Sequence, residues 1–438
     1  MNIKFLKKLN ENLPDWVKLL MAPIIRDKLI KNPVFVDQYR ELLIYDNLTQ
    51  DEIEIKQIEK TKDLLIFAYE NTQYYKALFD QLEFNPYQFS KLEELEQIPV
   101  LTKEQLGERF QDLVAENISN YYNASTGGTT GKPVNILLEK DSIYKEKAFI
   151  YHFWSKAGYD YKKSRIVTLR GIEFHGKISK VNPLYNEVLL NPFILSSNNI
   201  KQYINKINSF KGEFIHGYPS AIYNFCCLYE KQNIKLKKPI KAVFLISENS
   251  YPFQIEKIEK VLNCKCHMFY GHSERAVFAE ECEHGKYEFN KMYGVTQFQS
   301  ELGGYIICTG FLNRKQPLIR YIVDDNATLV DNDKWSIQGH WGKDVLYGAN
   351  GERISMAAIN FHDKTFANIL AYQFEQTEPG NTLLRIEAEY QLSETELLKI
   401  KKGVESKLAQ VIICNVQQVD KIKLSNRGKY QMLIQNIR

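Results

Sequence analysis

The sequence predicts an α/β protein with a large N-terminal multi-sheet domain, which begins with a helical segment, and a small mobile C-terminal α/β domain. Three observations predict this class. The chain has 438 residues, more than a single core usually holds. Its first hundred residues repeat apolar side chains at helical spacing, and the rest mixes strand-like runs with helix-length segments.

The helical segment covers residues 1–95. Its periodicity is clearest from Glu52 to Phe79, where apolar residues recur three and four positions apart and turn formers are few. We therefore expect a helical layer at the start of the large domain.

After about Val100 the pattern changes to short apolar or alternating runs separated by helix-length segments. Such runs are typical of strands buried between helices. The clearest are Val134–Leu138, Arg165–Leu169, Lys241–Ile246, Cys266–Tyr270 and Gly304–Cys308.

Two clusters of turn formers and charged residues follow, at Asp324–Asp333 and Gly339–Gly351. The second is the candidate hinge, because the residues after it have strand and helix patterns of their own. Those patterns are Leu383–Ala388, Ser393–Ala409 and Val411–Val419. We expect a large domain over residues 1–340 and a small cap domain over residues 343–438.

The charge balance argues against nucleic acid as a partner. Lys and Arg total 57 and Asp and Glu total 53, which gives a net charge of +4 and little reason to expect a broad basic face. The densest basic stretch, Lys231–Lys241, lacks the interleaved aromatics that stack bases, so we expect a solvated surface there.

The seven cysteines are an odd number clustered in the middle of the chain, which is not the pattern of a secreted disulfide framework. The opening residues contain no uninterrupted apolar run of signal-peptide length. No segment approaches the roughly 18 to 20 apolar residues of a membrane span. We therefore expect a cytoplasmic protein without integral membrane association.

The strongest motif is the nine-residue loop from Ser125 to Pro133. Its glycines allow tight turns that present backbone N–H groups, and its hydroxyls and ammonium add donors for phosphate oxygens. The candidate phosphate ligands are Ser125, Thr126, Gly127, Gly128, Thr129, Thr130, Gly131 and Lys132. Pro133 stands where a Walker loop needs Ser or Thr, and the next residues read as a strand, which disfavours a P-loop kinase or ATPase. A simple Gly/Thr-rich turn remains the structural alternative.

This loop resembles the phosphate loop of adenylate-forming enzymes such as acyl-CoA synthetases and nonribosomal peptide adenylation domains. Downstream, the segment Tyr270-Gly271-His272-Ser273-Glu274 is similar to the family element Tyr-Gly-x-Thr-Glu. The resemblance implies that the aromatic residue lies near adenine and that Glu274 helps hold Mg²⁺. A hard divalent ion prefers such a carboxylate together with phosphate oxygens.

The next family element is matched by Thr309-Gly310, Pro317–Tyr321 and Asp325. In the family an Asp at this place accepts hydrogen bonds from both ribose hydroxyls, which suits a two-oxygen acceptor. The Pro-Leu-Ile-Arg-Tyr stretch narrows the resemblance to the branch that contains phenylacetate–CoA ligase and capsular polysaccharide biosynthesis proteins. That branch usually has Gly before the Asp, whereas this chain has Asp324.

The segment Phe214–Ser220 resembles the acyl-pocket segment of that branch, which implies that His216, Gly217, Tyr218 and Pro219 line the acyl pocket. The turn Ser247–Asn249 falls where the family contacts adenine. A polar turn at a strand end is also a common structural feature. The implied adenine and ribose set is Ser247, Glu248, Asn249, Tyr270, Gly271, His272, Ser273, Arg320 and Asp325.

Two C-terminal features complete the resemblance. The run from His340 to Asp344 resembles the family hinge, with Lys343 or Asp344 as the pivot, although relatives commonly carry Arg where this chain has His340. The segment Leu424–Tyr430 resembles the mobile Gly-Lys element, which implies that Lys429 is the catalytic lysine of adenylation. A Gly-Lys pair by itself is usually a turn.

One constellation lies outside the implied nucleotide site. Thiolates and imidazoles can form a tetrahedral zinc site, but the spacing here matches none of the usual zinc motifs, and a structural role remains open. The residues are Cys264, Cys266, His267, Cys282 and His284.

The resemblance implies a two-step ligase that uses ATP and Mg²⁺. A small-molecule carboxylic acid would be converted to acyl-AMP with release of pyrophosphate. The acyl group would then pass to CoA, or to an amine or hydroxyl acceptor such as a surface-polysaccharide precursor. A catalytically degenerate binding or scaffold protein of the same fold is the alternative, and homodimer formation is left open.

Overall fold

The computed structural model describes residues 14–125, 135–170, 174, 176–192, 194–246, 250, 252–338, 345–356, 359, 369–388, 390–408, 411–420, 422–423 and 433–437. Structural statements below concern these residues.

The helical N-terminal layer that the sequence predicts is confirmed. Its longest helix begins with a capping box. The Glu52 carboxylate accepts from the Thr49 N–H at 2.8 Å, and the Thr49 hydroxyl accepts from the Glu52 N–H at 3.3 Å. The helices are α1 (Asp15–Ile30), α2 (Pro33–Tyr45), α3 (Gln50–Asn71), α4 (Gln73–Gln81) and α5 (Lys103–Glu108).

A large mixed sheet forms the centre of the molecule. Its strands are β3 (Ile166–Leu169), β4 (Ser179–Asn182), β5 (Glu187–Leu190), β6 (Phe214–Gly217), β7 (Ala242–Leu245), β8 (Lys265–Gly271), β9 (Phe278–Glu283), β10 (Lys286–Phe289), β11 (Gly294–Ser300), β12 (Gly303–Gly310), β13 (Tyr321–Asp331) and β14 (Lys334–Gln338). They lie in the order β11-β12-β13-β14-β10-β9-β8-β7-β6-β3-β5-β4. In this spatial order, the neighbouring strands β8, β7, β6, β3 and β5 are parallel to one another. The neighbouring strands from β8 through β9, β10, β14, β13 and β12 to β11 are antiparallel.

Helices cover both faces of the parallel part. Four of them are α6 (Asp141–Ser155), α7 (Ile200–Phe210), α8 (Pro219–Glu230) and α9 (Pro252–Leu262). Helices α7, α8 and α9 share one apolar core with the sheet, whereas α6 packs on the opposite face together with α1 and α2. Strands buried on both faces explain the continuous apolar runs of the sequence.

The N-terminal layer is part of the core of the antiparallel region. The Tyr75 hydroxyl accepts from the Ile319 N–H and donates to the Pro317 carbonyl, both at 3.1 Å. The Gln57 side chain donates to the Gly294 carbonyl at 2.8 Å. These buried contacts join the first hundred residues to the Pro-Leu-Ile-Arg-Tyr motif and to the start of β11.

The C-terminal part has its own strands and helix. These are β15 (Val345–Tyr347), β16 (Arg353–Ser355), β17 (Ile369–Glu378), β18 (Asn381–Ala388), α10 (Glu394–Lys407), β19 (Ile413–Gln418) and β20 (Leu433–Gln435). The buried residues of its apolar cluster lie between Leu346 and Leu433, except for Tyr218. Residues 339–344 lie outside the described residues, so the domain boundaries stay a prediction.

The turn-rich interpretation of Asp324–Asp333 is wrong for most of that segment. Strand β13 runs through to Asp331, and the reversal is confined to Asn332 and Asp333, where Asp333 has a φ of +64°. The strand is paired on both sides, with β12 and β14, and it buries Ala327 in the core. Tertiary pairing therefore overrides the poor strand propensity of its Asp and Asn residues.

Among the helices that the structure describes, none combines the length and apolar character needed to cross a bilayer.

Candidate active site

The carboxyl ends of β3, β6, β7 and β8 meet at one edge of the sheet because these strands are parallel neighbours. In open α/β sheets ligands bind at this edge. Strand β8 leads there into the segment that ends at Glu274, and β6 leads into Tyr218, the residue before α8.

The predicted phosphate loop joins two paired strands, as expected. Strands β1 (Tyr121–Ser125) and β2 (Asn135–Glu139) are antiparallel, with Ser125 opposite Asn135. Side chains near the next motif anchor β2, because Gln316 accepts from the Leu137 N–H at 2.8 Å and Asn313 from the Glu139 N–H at 3.0 Å. Residues 126–134 lie outside the described residues.

Two motifs separated by 55 residues meet at this edge. The Tyr270 hydroxyl donates to Oδ2 of Asp325 at 2.8 Å. Burial, followed by the nearby Asp325 carboxylate, raises the pKa of Tyr270 well above its usual value, so the phenol keeps its proton. The tyrosine therefore orients one carboxylate oxygen of Asp325.

Glu274 is a buried carboxylate beside this pair, 6% exposed. The Tyr321 hydroxyl donates to its Oε1 at 3.3 Å, and Nδ1 of His272 lies 3.1 Å from its Oε2. Burial alone would raise the pKa of Glu274, but the adjacent His272, with smaller contributions from Lys103 and a backbone hydrogen bond, outweighs burial and lowers the pKa. The carboxyl group is therefore ionised at neutral pH.

His272 is the cationic partner in this arrangement. Burial opposes the charged imidazolium, but Glu274 and the Cys308 thiol together outweigh burial and raise the pKa of His272. Within the described residues neither ring nitrogen makes an aligned hydrogen bond, so the short approach of Nδ1 to Glu274 is an ion pair without hydrogen-bond alignment. The motif alone does not reveal this pairing.

The buried carboxylate fits a role in holding Mg²⁺. Among the described residues, the neutral Tyr321 hydroxyl and the His272 imidazolium lie next to Glu274, and acceptor capacity is left on its two oxygens. A magnesium ion is commonly held by one or two carboxylates, with phosphate oxygens and water supplying the rest. Mg²⁺ binding stays a prediction.

The predicted acyl-pocket segment lies at the end of β6. Nδ1 of His216 lies 3.0 Å from the Phe244 carbonyl oxygen, and the ring packs against Trp154 at 5.0 Å. Burial, reinforced by Arg170, lowers the pKa of His216 to about 3, so the imidazole is neutral. Pro219 is the first residue of α8, where a missing N–H costs nothing.

Gly217 is required by close packing between strands. Its φ is +151°, and a Cβ built there would overlap the carbonyl oxygen of Leu169 on β3. The sequence motif thus includes a residue with a structural reason for being glycine.

We expect Gly217→Ala to lower the free energy of unfolding by about 2 kcal/mol or more, because the methyl group must displace backbone in a strained conformation. Urea denaturation measures the change. Gly158→Ala is the matched control, since Gly158 also has a positive φ, +82°, but open space around it. Its loss should be about 1 kcal/mol, and equal losses for the two variants would contradict the overlap argument.

Comparisons with known proteins extend these observations. No family model matches the chain. It is 22% identical over 450 residues to "Protein CapK" of Staphylococcus aureus, covering 95% of this chain and 98% of that protein.

Solved structures of 2-hydroxyisobutyryl-CoA ligase are similar in three dimensions. The complex with 2-HIB-AMP and CoA in the thioesterification state has a TM-score of 0.57 at 16% identity, covering 89% of this chain and 91% of that one. The postadenylation complex with R3-HIB-AMP has a TM-score of 0.53 at 16% identity, with coverages of 89% and 90%.

The chain has the fold of the adenylate-forming ligases. The predicted fold class is thereby confirmed, and so is the resemblance at the level of the fold. The roles of individual residues in this adenylate-forming fold remain predictions.

Arg320, assigned above to the nucleotide set of the adenylate-forming fold, contacts the N-terminal layer. One guanidinium nitrogen donates to the carbonyls of Leu95, Glu96 and Ile98 at 3.2, 2.9 and 2.7 Å. Its backbone N–H donates to the Thr309 hydroxyl at 3.0 Å. These bonds give Arg320 a structural function, and a nucleotide contact stays a prediction.

Several predicted site residues of the adenylate-forming fold lie outside the described residues. They are Thr126–Lys132, Ser247, Glu248, Asn249, His340, Lys343, Asp344 and Lys429. Ser125 is described only through its backbone at the end of β1. Gly271 and Ser273 are exposed on either side of His272.

The cysteine and histidine constellation is dispersed over the β8–β9 region. His284 lies 3.4 Å from Glu259 and 3.7 Å from Glu281, whereas Cys282 is exposed and Cys266 is buried. Within the described part of the adenylate-forming fold, no three His, Cys, Asp or Glu side chains are arranged to hold a metal ion.

Sequence reasoning missed Tyr321, Lys147 and Arg170 as neighbours of the site. Tyr321 ends the Pro-Leu-Ile-Arg-Tyr stretch, so its motif carried a usable signal. Lys147 in the middle of α6 and Arg170 just after β3 carry no such signal.

Proposed function

We propose that this protein is an ATP-dependent, carboxylate-activating ligase. The observation that carries the proposal is the 2.8 Å hydrogen bond between Tyr270 and Asp325, which brings two sequence motifs together beside the buried carboxylate of Glu274. Together they form an aromatic and acidic cluster at the sheet edge where ligands bind in α/β folds. The fold shared with ligases solved with acyl-AMP supports the same activity.

In the first step a carboxylate oxygen of the acid attacks the α-phosphorus of ATP. The bond to the bridging oxygen breaks, and the electron pair leaves with pyrophosphate. The loop Ser125–Lys132 binds the leaving phosphates, and Lys429 neutralises charge that develops at the α-phosphate. Asp325, oriented by Tyr270, accepts from the ribose hydroxyls. Mg²⁺ held by Glu274 would offset charge on the phosphate oxygens.

In the second step a nucleophile attacks the acyl carbonyl, and AMP leaves with the electron pair of the broken anhydride bond. Rotation of the cap about Lys343 or Asp344 exchanges Lys429 for the acceptor. We favour CoA as the acceptor, which the CoA complex of a ligase with this fold supports. A surface-polysaccharide precursor with an amine or hydroxyl group comes second, on the strength of the Pro317–Tyr321 motif.

Isotope exchange between pyrophosphate and ATP tests the proposal. A panel of aryl, fatty, amino and uronic acids should contain members that stimulate exchange, and the full reaction should form AMP and pyrophosphate. Formation of ADP would instead indicate a kinase or ATPase.

The ion pair between His272 and Glu274 is the observation that favours the second candidate, a non-catalytic protein of this fold. An imidazolium next to the carboxylate competes with a metal ion for its charge. Binding of ATP without exchange for any acid in the panel would support a binding or scaffold role.

Removing hydroxyls from the phosphate loop should weaken ATP use. We expect Thr129→Ala combined with Thr130→Ala to raise the KM for ATP by about tenfold or more, because hydrogen bonds to charged groups are worth roughly 1.5 to 3 kcal/mol each. The KM for the acid should change little. Thr328→Ala, at an exposed position on β13, is the control. An unaltered dependence on ATP would argue that the loop is only a turn.

A further inference from the structure

A group of cationic side chains lies between α6 and the sheet, beside the predicted acyl pocket. Thr168 of β3 is opposite His216 of β6, and their flanking residues Ile166 and Phe214 belong to the core on the α6 side. Side chains two positions apart on a strand share a face. Thr168 and His216 therefore lie on the α6 side of the sheet, like Ile166 and Phe214. Arg170 continues the same alternation just past the end of β3.

Lys147 approaches this place from α6. Its ammonium lies over the rings of Tyr151 and Tyr185, at 5.1 and 4.5 Å from their centroids. The side chain is partly buried, and within the described residues it makes no ion pair. Burial, reinforced by Arg170, lowers the pKa of Lys147 to about 8.

Arg170 is the second cation of the group. Its Nε is buried and has no hydrogen-bond partner among the described residues. It is close enough to lower the pKa of both Lys147 and His216. Two cations and a neutral histidine therefore lie together at the carboxyl edge of β3 and β6.

The nearby carboxylates have other partners. Glu187 accepts from the Thr168 hydroxyl at 2.6 Å and from Asn182 at 3.0 Å. Glu146 is paired with Arg275 at 2.7 Å. Glu187 and Glu146 raise the pKa of Lys147 without reaching ion-pair distance. Among the residues that the structure describes, the group therefore has more positive than negative charge.

Charged groups removed from water are costly unless they are paired, so this arrangement suits an incoming anion. We propose that Lys147 and Arg170 bind a second anionic group of the acid substrate, and that the enzyme activates a dianionic acid such as a dicarboxylate. This inference rests on the proposed function, because it places the acid beside His216 and Tyr218. One carboxylate would point to ATP, and the other would lie between the two cations.

The phosphates of ATP are the competing source of negative charge. Arg275, which lies 5.8 Å from the ring of Tyr122 on β1, is already paired with Glu146. Lys147 instead lies over Tyr151, in the core on the side of the sheet that carries His216, and His216 is in the segment predicted to line the acyl pocket. Arg170 follows β3 in the same alternation. The geometry therefore favours the acid.

Direct binding tests the inference without requiring turnover. Calorimetric titration of the full-length protein uses linear dicarboxylates of four to eight carbons and benzene dicarboxylates, each compared with its monomethyl ester. The wild type should bind at least one diacid about tenfold or more tightly than its ester, because charge-assisted hydrogen bonds carry the difference. Lys147→Met and Arg170→Gln should each abolish that preference.

Lys145→Met is the matched control. Lys145 lies on the same helix and is partly buried, but it lines a separate cavity with Lys60, Asp63 and Arg314. It should keep the preference for diacids. Urea denaturation of each variant shows whether the fold is intact.

Three results would overturn the inference. The first is that the wild type binds every diacid and its monomethyl ester equally. The second is that both Lys147→Met and Arg170→Gln keep the preference for the diacid. The third is that these variants lose affinity for ATP or pyrophosphate while their preference for the diacid is unchanged. Pyrophosphate exchange with the same acids is measured separately. Absence of exchange alongside selective diacid binding would contradict the proposed activity and leave the anion site supported.

Discussion

Glu274→Gln is expected to reduce the rate of acyl-AMP formation by about 10³-fold, while the protein stays folded. A neutral amide loses most of the attraction that holds Mg²⁺ on the phosphates. The structure adds a consequence for His272, whose pKa should fall toward its usual value once the carboxylate is gone. The imidazole then becomes neutral, so the variant need not bury an unpaired charge.

Pyrophosphate exchange at limiting Mg²⁺ measures this effect, and urea denaturation checks the fold. Glu280→Gln is the matched control because Glu280 is also buried and doubly partnered, with Lys156 at 2.6 Å and Asn290 at 2.9 Å. It lies on β9, and its exchange rate should stay within a few-fold of wild type. Unchanged exchange in Glu274→Gln would remove Glu274 from the metal site.

The elements that the sequence predicts well are those with strong local signals. The run Lys241–Ile246 contains β7, Cys266–Tyr270 lies within β8, and Ser393 caps α10 with a capping box. Buried parallel strands and capped helices are encoded by neighbouring residues, so a single chain reveals them. The meeting of Tyr270 and Asp325 was predictable through the family resemblance of their motifs.

The interpretations that failed or were missed depend on contacts between distant segments. Strand β13 exists because β12 and β14 pair with it on both sides. The polar residues from Asp324 to Asn326 do not predict a strand. Arg320 is bonded to carbonyls more than 200 residues earlier in the chain. No local pattern encodes such partners.

The cationic group between α6 and the sheet shows the same limit at the level of function. Lys147 and Arg170 are separated by 23 positions in the sequence, and each alone looks like an ordinary charged residue. Only the packing of α6 over β3 and β6 places Lys147 on the side of the sheet that carries Thr168 and His216. Predicting substrate specificity of this kind therefore requires a tertiary structure.

The C-terminal part, which is predicted to form the cap, packs against the predicted acyl segment. Tyr218, the residue before α8, is buried in the apolar cluster of the C-terminal part, and Ala221 and Ile246 pack against that cluster. A cap that rotates must break these contacts and make others. The roles of the cap in the two half-reactions should therefore be separable by mutation.

Lys429→Ala is expected to lower the rate of acyl-AMP formation by about 10²-fold or more, the usual scale for removing a preorganised charge partner of a transition state. If the lysine enters the site only for adenylation, the second step should survive. Synthetic acyl-AMP supplied to the variant should then be consumed by the acceptor at a rate close to that of the wild type. Rapid-quench assays of the two half-reactions measure both rates.

Lys423→Ala serves as the control for Lys429→Ala, since Lys423 has an exposed side chain and acts in the structure through its backbone carbonyl, which accepts from Gln373 at 2.8 Å. It should leave both half-reactions unchanged. A Lys429→Ala variant that is equally slow in both steps would mean that the lysine supports the fold, or that the cap does not exchange positions between the steps. Loss of the first step alone would establish Lys429 as the residue that neutralises the α-phosphate during adenylation, and would assign the second step to a different orientation of the cap.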